Sequence, residues 1–202
     1  MIKNVVFDFG QVMIRFDPLY MTGKYIADEA DREAVARVVF DRLYWNLLDS
    51  GDITDQEVVR LSKERLPERL HPAVERIYYN WIYNIPEISG MRELVLYIKE
   101  RYGIPVYLLS NISEYFSKNC DKVPVISLFD GCIFSADYNM TKPGREIFEL
   151  LCNKFDLIPE ETLFIDDSEI NTKGAEAVGI NTYLFDQSTE KLKEYIDKTL
   201  FK

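Results

Sequence analysis

Several short apolar runs in this chain end in side chains that could do chemistry. In each case a carboxylate, hydroxyl or amide follows directly after residues typical of a buried strand: Asp8, Ser110-Asn111 and Asp166-Asp167. In an open parallel α/β sheet, ligands bind beyond the carboxyl ends of the strands, so residues far apart in sequence meet there. We therefore expect these groups to share one crevice.

An ammonium group is expected at the same crevice. Lys142 precedes Pro143, a residue that fits the first turn of a helix, and the free N–H groups of that helix would face the strand ends. Carboxylates held close together repel each other, and a hard divalent cation with oxygen ligands relieves that repulsion. Mg²⁺ suits one or two carboxylates, waters and a substrate phosphate, so the pattern predicts a magnesium site.

The elements that would position these residues follow an alternating order after Pro86. Strands are predicted over residues 104–109, 133–134, 162–165 and 181–185. Helices are predicted over 87–102, 113–121 and 143–155, then after Asp167 up to Gly179, and from 189 onward. Such alternation predicts a parallel sheet covered by helices on both faces. Residues 19–83 instead show helical periodicity, which predicts about four helices.

Taken in chain order, these motifs resemble those of a known superfamily. The segments Asp8-Phe9-Gly10, Ser110-Asn111, Lys142-Pro143 and Asp166-Asp167 with Asn171 and Gly174 are similar to the motifs of haloacid dehalogenase-like hydrolases. The resemblance covers essentially the whole chain. It implies an α/β fold with a Rossmann-like parallel sheet core over residues 1–16 and 87–202, and an inserted α-helical cap over residues 17–86. Two phrases, residues 7–10 and 51–55, resemble the α-D-glucose-1-phosphate phosphatase branch.

The resemblance implies a nucleophile and a metal site. Asp8 would attack phosphorus to form an aspartyl-phosphate, and it would also be a ligand of Mg²⁺. Asp167 and the backbone carbonyl of Gly10 would bind the same ion. Asp166 would be a further ligand or would support one.

The resemblance also implies contacts to the substrate. Ser110 would hydrogen-bond a phosphoryl oxygen, the Asn111 N–H would add a second donor, and Lys142 would offset the charge of the nucleophile and the phosphoryl group. In the predicted cap, Trp45 and Tyr44 are the aromatic residues that we expect to stack on a sugar.

Gly10 departs from the common pattern of the superfamily. Most of its phosphatases carry a second Asp two residues after the nucleophile, which protonates the leaving oxygen and then activates water, and glycine cannot transfer protons. The glucose-1-phosphatase branch shares the Asp-x-Gly pattern, so the sequence does not establish inactivity. Asp17, another residue of the cap or a metal-bound water could take over this role.

Three functions stay open at this point, and we favour the first. It is a Mg²⁺-dependent phosphatase acting on a small phosphorylated metabolite, with a sugar phosphate as the candidate substrate. The second is hydrolytic dehalogenation of a 2-haloacid by Asp8, which needs no metal and leaves the Asp166-Asp167 pair unexplained. The third is a non-catalytic binder of phosphorylated ligands that lost turnover with its acid.

Composition and charge limit the kinds of partner and the compartment that we expect for this chain. The chain has 202 residues and a net charge of −10, which disfavours binding to nucleic acid or anionic lipid. No apolar run approaches the ~18–20 residues that cross a bilayer, and none before Asp8 suits a signal peptide. The three cysteines lack CxxC spacing and fit reduced thiols. We expect a cytoplasmic protein.

Overall fold

A five-stranded parallel sheet forms the centre of the computed structural model, which describes residues 1–83 and 85–200. The strand order is β3-β2-β1-β4-β5, and every neighbouring pair is parallel. The strands are β1 (Asn4–Phe7), β2 (Val106–Ser110), β3 (Gly131–Phe134), β4 (Thr162–Asp166) and β5 (Asn181–Leu184). The predicted α/β class with a parallel sheet is confirmed.

The helices fall into two groups. Five lie between β1 and residue 83, where about four were predicted: α1 (Pro18–Gly23), α2 (Glu29–Val39), α3 (Arg42–Asp49), α4 (Asp55–Glu64) and α5 (His71–Asn80). The others flank the sheet: α6 (Met91–Tyr102), α7 (Glu114–Asn119), α8 (Arg145–Phe155), α9 (Glu169–Glu176) and α10 (Thr189–Leu200). No helix among residues 1–83 and 85–200 has the length and apolar character to span a membrane.

The central strand β1 determines where the first carboxylate lies. Val5, Val6 and Phe7 are fully buried, as expected for a strand covered on both faces. Phe7 pairs with Leu108 on β2 and with Ile165 on β4. Because this register continues by one residue, the chain leaves the sheet at Asp8 directly beside the end of β4.

Aromatic rings connect residues 17–83, called the α1–α5 segment below, to the helices that cover the sheet. Phe16, Trp45 and Trp81 contact one another with ring centroids 5.2 to 5.7 Å apart. Trp81 also stacks on Phe116 of α7 at 5.7 Å. Buried aromatic pairs of this kind stabilise the seam beyond the effect of their buried area.

Two helices begin later than predicted. Helix α8 starts at Arg145 rather than at Pro143, because Thr141–Gly144 form a tight turn closed by a 2.8 Å bond from the Gly144 N–H to the Thr141 carbonyl. Lys142 therefore lies in a loop before α8, joined to Pro143 by a cis peptide bond. Helix α6 starts at Met91 because residues 88–91 form a turn, with the Met91 N–H bonded to the Ile88 carbonyl.

Candidate active site

The strand ends bring the predicted acidic residues together. Carboxylate oxygens of Asp8, Asp166 and Asp167 lie within 4.8 Å of one another. Asp8 and Asp167 line a cavity of about 290 Å³, together with Ser110 and Lys142. The structure thus places these groups together at one edge of the sheet, as expected.

Lys142 is the centre of the charge cluster. Its side chain is 1% exposed, and its ammonium group donates to Asp8 Oδ1 at 2.6 Å and to Asp166 Oδ2 at 2.8 Å. A third bond reaches the Leu109 carbonyl at 3.0 Å. Since an ammonium has three N–H donors, all three have acceptors and the charge is held at one point beneath the cavity.

Asn111 acts on Lys142 through its side chain. The Asn111 amide donates to the Lys142 carbonyl at 2.9 Å and accepts from the Lys142 N–H at 2.8 Å. This paired contact fixes the loop that carries the lysine. Asn111 also lines the cavity, so a substrate contact through its backbone N–H stays a prediction, while its side chain has a positioning role.

Asp166 is fully buried and its oxygens are already engaged. Oδ1 accepts from the Ser168 N–H at 2.8 Å, Oδ2 accepts from Lys142, and the Asn171 amide lies 3.1 Å from both oxygens. Asp8 and Asp167, in contrast, line the cavity. Of the two roles open to Asp166, this environment favours that of a support for the others.

The cluster carries more negative than positive charge. Burial raises the pKa of Asp8, Lys142 opposes this, and the Asp166 carboxylate adds to it. Loss of water contact and the Asp166 carboxylate likewise raise the pKa of Asp167. Although burial opposes it, the two buried carboxylates raise the pKa of Lys142. A divalent cation would offset the remaining charge, and carboxylate and carbonyl oxygens are the donors that Mg²⁺ prefers, so these residues fit the ion.

Gly10 lines the cavity and leaves room beside the nucleophile. A Cβ built at this position would meet no atom within 4 Å. Packing therefore does not explain the missing side chain. Asp17 does not fill the gap, because it caps α1, where it accepts from the Tyr20 N–H at 3.0 Å, and it is not among the residues that line the cavity.

The α1–α5 segment supplies the opposite wall of the cavity. Trp45 lines it, with its indole N–H bonded to the Val39 carbonyl at 2.7 Å. Tyr44 does not line it, since its ring packs against the Arg65 guanidinium at 5.4 Å. Adjacent residues on a helix point about 100° apart, and here Trp45 faces the cavity while Tyr44 faces Arg65. The sugar contact expected of Tyr44 is thus not supported by its position.

Sequence reasoning missed further residues of this wall. Arg42, Asn46 and Asp49 line the cavity together with Trp45, all on α3. They lie three residues before, one after and four after Trp45, and residues three and four apart share a helix face. That spacing around an aromatic residue is the signal that could have identified Arg42 and Asp49.

Comparisons with known proteins agree with this geometry. The family described as haloacid dehalogenase-like hydrolase matches residues 2–179. A D-ribitol-5-phosphate phosphatase of Bacteroides thetaiotaomicron is 26% identical over 191 residues, with 91% of each chain covered. The sesquiterpene phosphatase astK of Aspergillus oryzae is 35% identical over 182 residues, covering 88% of this chain and 87% of the relative.

A solved structure gives the same result at the level of the fold. A HAD family enzyme from Bacteroides thetaiotaomicron, in complex with magnesium and inorganic phosphate, superposes with a TM-score of 0.69 at 25% identity. The match covers 95% of this chain and 99% of that one. The chain therefore belongs to the haloacid dehalogenase-like hydrolase family.

Proposed function

We propose that this chain is a Mg²⁺-dependent phosphatase that hydrolyses a small phosphorylated metabolite through an aspartyl-phosphate on Asp8. The observation that carries the proposal is the lysine at the strand ends. The Lys142 ammonium bonds Asp8 at 2.6 Å and Asp166 at 2.8 Å, at the floor of a cavity that Asp8 and Asp167 also line.

Each residue has a part in phosphoryl transfer. Asp8 is the nucleophile, and Lys142 favours its ionised form and offsets the charge of the phosphoryl group. Ser110, at the end of β2, donates to a phosphoryl oxygen. Bound Mg²⁺, held by Asp8, Asp167 and the Gly10 carbonyl, would neutralise charge on the phosphoryl oxygens. Positioning and charge stabilisation are most of what this reaction requires from a protein.

The phosphatase is favoured over the two alternatives. Dehalogenation needs no cation, whereas three carboxylates with oxygens within 4.8 Å of one another suit one. The relatives named above are phosphatases, and the solved structure binds magnesium and phosphate. A binder without turnover would not need a buried lysine to hold the nucleophile. Assay of Asp8 variants distinguishes a phosphatase from such a binder, because only a phosphatase has turnover to lose.

A sugar phosphate is the substrate class that we propose. The cavity combines the rings of Trp45 and Trp81 with polar side chains of Arg42 and Asn46. Aromatic faces with a few directed polar groups are typical of sites that bind hydroxylated ligands. The relative that acts on D-ribitol-5-phosphate supports this class, and the glucose-1-phosphate branch stays a prediction.

We also propose that residues 17–86 form a cap domain over a core of residues 1–16 and 87–202. The cavity is walled by α3 on one side and by the ends of β1, β2 and β4 on the other, so movement of the α1–α5 segment would admit or enclose substrate.

Phosphate release from a panel of sugar phosphates tests the proposed function. The assay is run with Mg²⁺ and with a chelator, on the wild type, on Asp8→Asn and on Asp121→Asn as an exposed acidic control. We expect release that requires both the metal and Asp8 and that is unchanged in the control. Release by Asp8→Asn at the wild-type rate would refute the proposal. Halide release from 2-haloacids without metal would establish dehalogenation instead.

A further inference from the structure

A buried carboxylate of the α1–α5 segment faces the same cavity as the nucleophile. Asp49, the last residue of α3, lines the cavity and is only 7% exposed. Its Oδ1 atom is buried and has no hydrogen-bond partner among residues 1–83 and 85–200. Buried polar atoms are normally satisfied, so one that is not and that borders a ligand cavity points to a ligand atom as its partner.

The backbone of Asp49 is anchored to the segments that follow β2 and β3. The Ser135 hydroxyl donates to the Asp49 carbonyl at 2.5 Å and accepts from the Ile112 N–H at 2.8 Å. Next to it, the Asn139 amide donates to the Ser50 carbonyl at 3.0 Å. These bonds hold the end of α3 at a defined place opposite Asp8, although Asp49 belongs to a different part of the chain.

The surroundings of Asp49 suit a group that exchanges protons near neutral pH. Burial raises the pKa of Asp49 to about 7; Arg42 and Lys142 oppose the shift, and the Asp8 carboxylate adds to it. Tyr78 is a further titratable group within electrostatic reach. An acid–base catalyst works best when its pKa is close to the working pH.

We propose that Asp49 is the catalytic acid and base that replaces the side chain absent at Gly10. The inference rests on the proposed function. In phosphoryl transfer the attacking and leaving oxygens lie on opposite sides of phosphorus. With Asp8 attacking from the sheet, the leaving oxygen lies toward the α3 wall, where Asp49 is located.

The two half-reactions balance with Asp49 as the only proton carrier. In the first, an Asp8 oxygen bonds to phosphorus, the bond from phosphorus to the leaving oxygen breaks, and that oxygen takes its electron pair and the proton of Asp49. In the second, water attacks the same phosphorus and gives a proton to the Asp49 carboxylate. The bond from Asp8 to phosphorus breaks, which releases phosphate and restores both carboxyl groups to their starting states.

Leaving-group dependence separates this role from a structural one. Asp49→Asn is compared with the exposed control Asp121→Asn on ribitol 5-phosphate, whose alkoxide must be protonated, and on p-nitrophenyl phosphate, whose phenolate leaves without a proton. We expect kcat of Asp49→Asn on ribitol 5-phosphate to fall at least about 100-fold, as for loss of a general acid. On the aryl phosphate the first half-reaction, measured as the pre-steady-state burst of p-nitrophenol, should slow less than about 10-fold. Asp121→Asn should match the wild type on both substrates.

A second variant tests the link to Gly10. Because a Cβ at position 10 meets no atom within 4 Å, Gly10→Asp in the Asp49→Asn background should regain activity on ribitol 5-phosphate. A p-nitrophenol burst slowed as much as turnover of ribitol 5-phosphate, or a rise in KM with kcat unchanged, would overturn the inference. If the wild type releases phosphate from neither substrate, the proposed function fails. If it releases phosphate from p-nitrophenyl phosphate in a Mg²⁺- and Asp8-dependent way but Asp49→Asn is as active as the wild type on ribitol 5-phosphate, only this inference fails.

Discussion

Among the individual side chains, Asn111 shows how a polar residue in a functional motif can act without touching the reacting atoms. Its amide makes two bonds to the backbone of Lys142, 31 residues away, and thereby fixes where the ammonium group lies. Lys142 in turn bonds both Asp8 and Asp166. The position of the nucleophile therefore depends on a chain of contacts that begins at Asn111.

Replacing Asn111 should affect turnover more than substrate binding. Asn111→Ala removes both bonds to the Lys142 backbone, so we expect kcat to fall about 10–100-fold, the usual effect of losing a residue that orients catalytic groups. KM should change little. Steady-state kinetics on a sugar phosphate measures both values. A rise in KM with kcat unchanged would instead mean that the side chain binds substrate.

Asp49 gives the free energy of unfolding a predictable pH dependence. Its pKa is raised on folding, to about 7, so the folded protein binds more protons than the unfolded chain between pH 4 and 7. Stability from this group is therefore present at low pH and is lost as pH rises through that range, by up to ~1.4 kcal/mol per pH unit.

Urea unfolding at pH 5 and pH 8, in a chelator, measures this effect. Asp8 contributes in the same direction in both proteins, so the comparison of wild type with Asp49→Asn isolates Asp49. We expect the variant to lose less stability than the wild type between the two values. Equal losses would show that Asp49 does not titrate in this range.

At the level of secondary-structure elements, the turn between α3 and α4 determines where the catalytic wall sits. Gly51 has φ +78°, and a Cβ there would lie 2.4 Å from the Asn139 amide nitrogen and 3.2 Å from the Ala136 carbonyl. Only glycine allows this close approach. The same close approach allows the Asn139 amide to bond the Ser50 carbonyl and the Ser135 hydroxyl to bond the Asp49 carbonyl. The packing of this one turn therefore holds the end of α3 against the sheet domain.

Gly51→Ala should therefore disturb both stability and catalysis. We expect a loss of roughly 2–4 kcal/mol, from the left-handed backbone and the contact with Asn139, together with a lower kcat. Gly103→Ala is the matched control, because it also has a positive φ but no atom within 4 Å. The control should lose about 1 kcal/mol and keep its kcat. Equal effects of the two variants on kcat would contradict the role of the turn.

Across the whole molecule, the site concentrates negative charge in a chain that already carries a net charge of −10. Asp8 and Asp167 come from segments about 160 residues apart in sequence and meet only because β1 and β4 are neighbours. An ion bound between them exists only in the folded state. Its binding is therefore coupled to folding of the entire sheet.

Mg²⁺ should raise the melting temperature. At about 100 times its dissociation constant, a ligand of the folded state adds ~2.7 kcal/mol to stability. We expect thermal unfolding to shift upward with added Mg²⁺ and back again with a chelator. Asp167→Asn should lose most of the shift while the exposed control Asp121→Asn keeps it. A shift of equal size in all three proteins would place the ion elsewhere.

The sequence by itself determined the parallel α/β fold and the strand-end residues Asp8, Ser110 and Asp166-Asp167. It could do so because apolar runs that end in polar residues are local patterns, and the topology of parallel sheets brings such ends to one edge. Lys142 also belonged to this set, although it was expected at the start of a helix that begins three residues after it, at Arg145.

Only the tertiary structure decided the rest. Which of Tyr44 and Trp45 faces the cavity depends on how α3 is rotated against its neighbours, and the role of Asn111 depends on a partner distant in the chain. The spacing of Asp49 from Trp45 indicates a shared helix face, but it does not indicate that the Asp49 carboxyl group is buried. Its function follows from burial and from the bond that Ser135 makes to its backbone, and such long-range contacts form only when the two parts of the chain pack together.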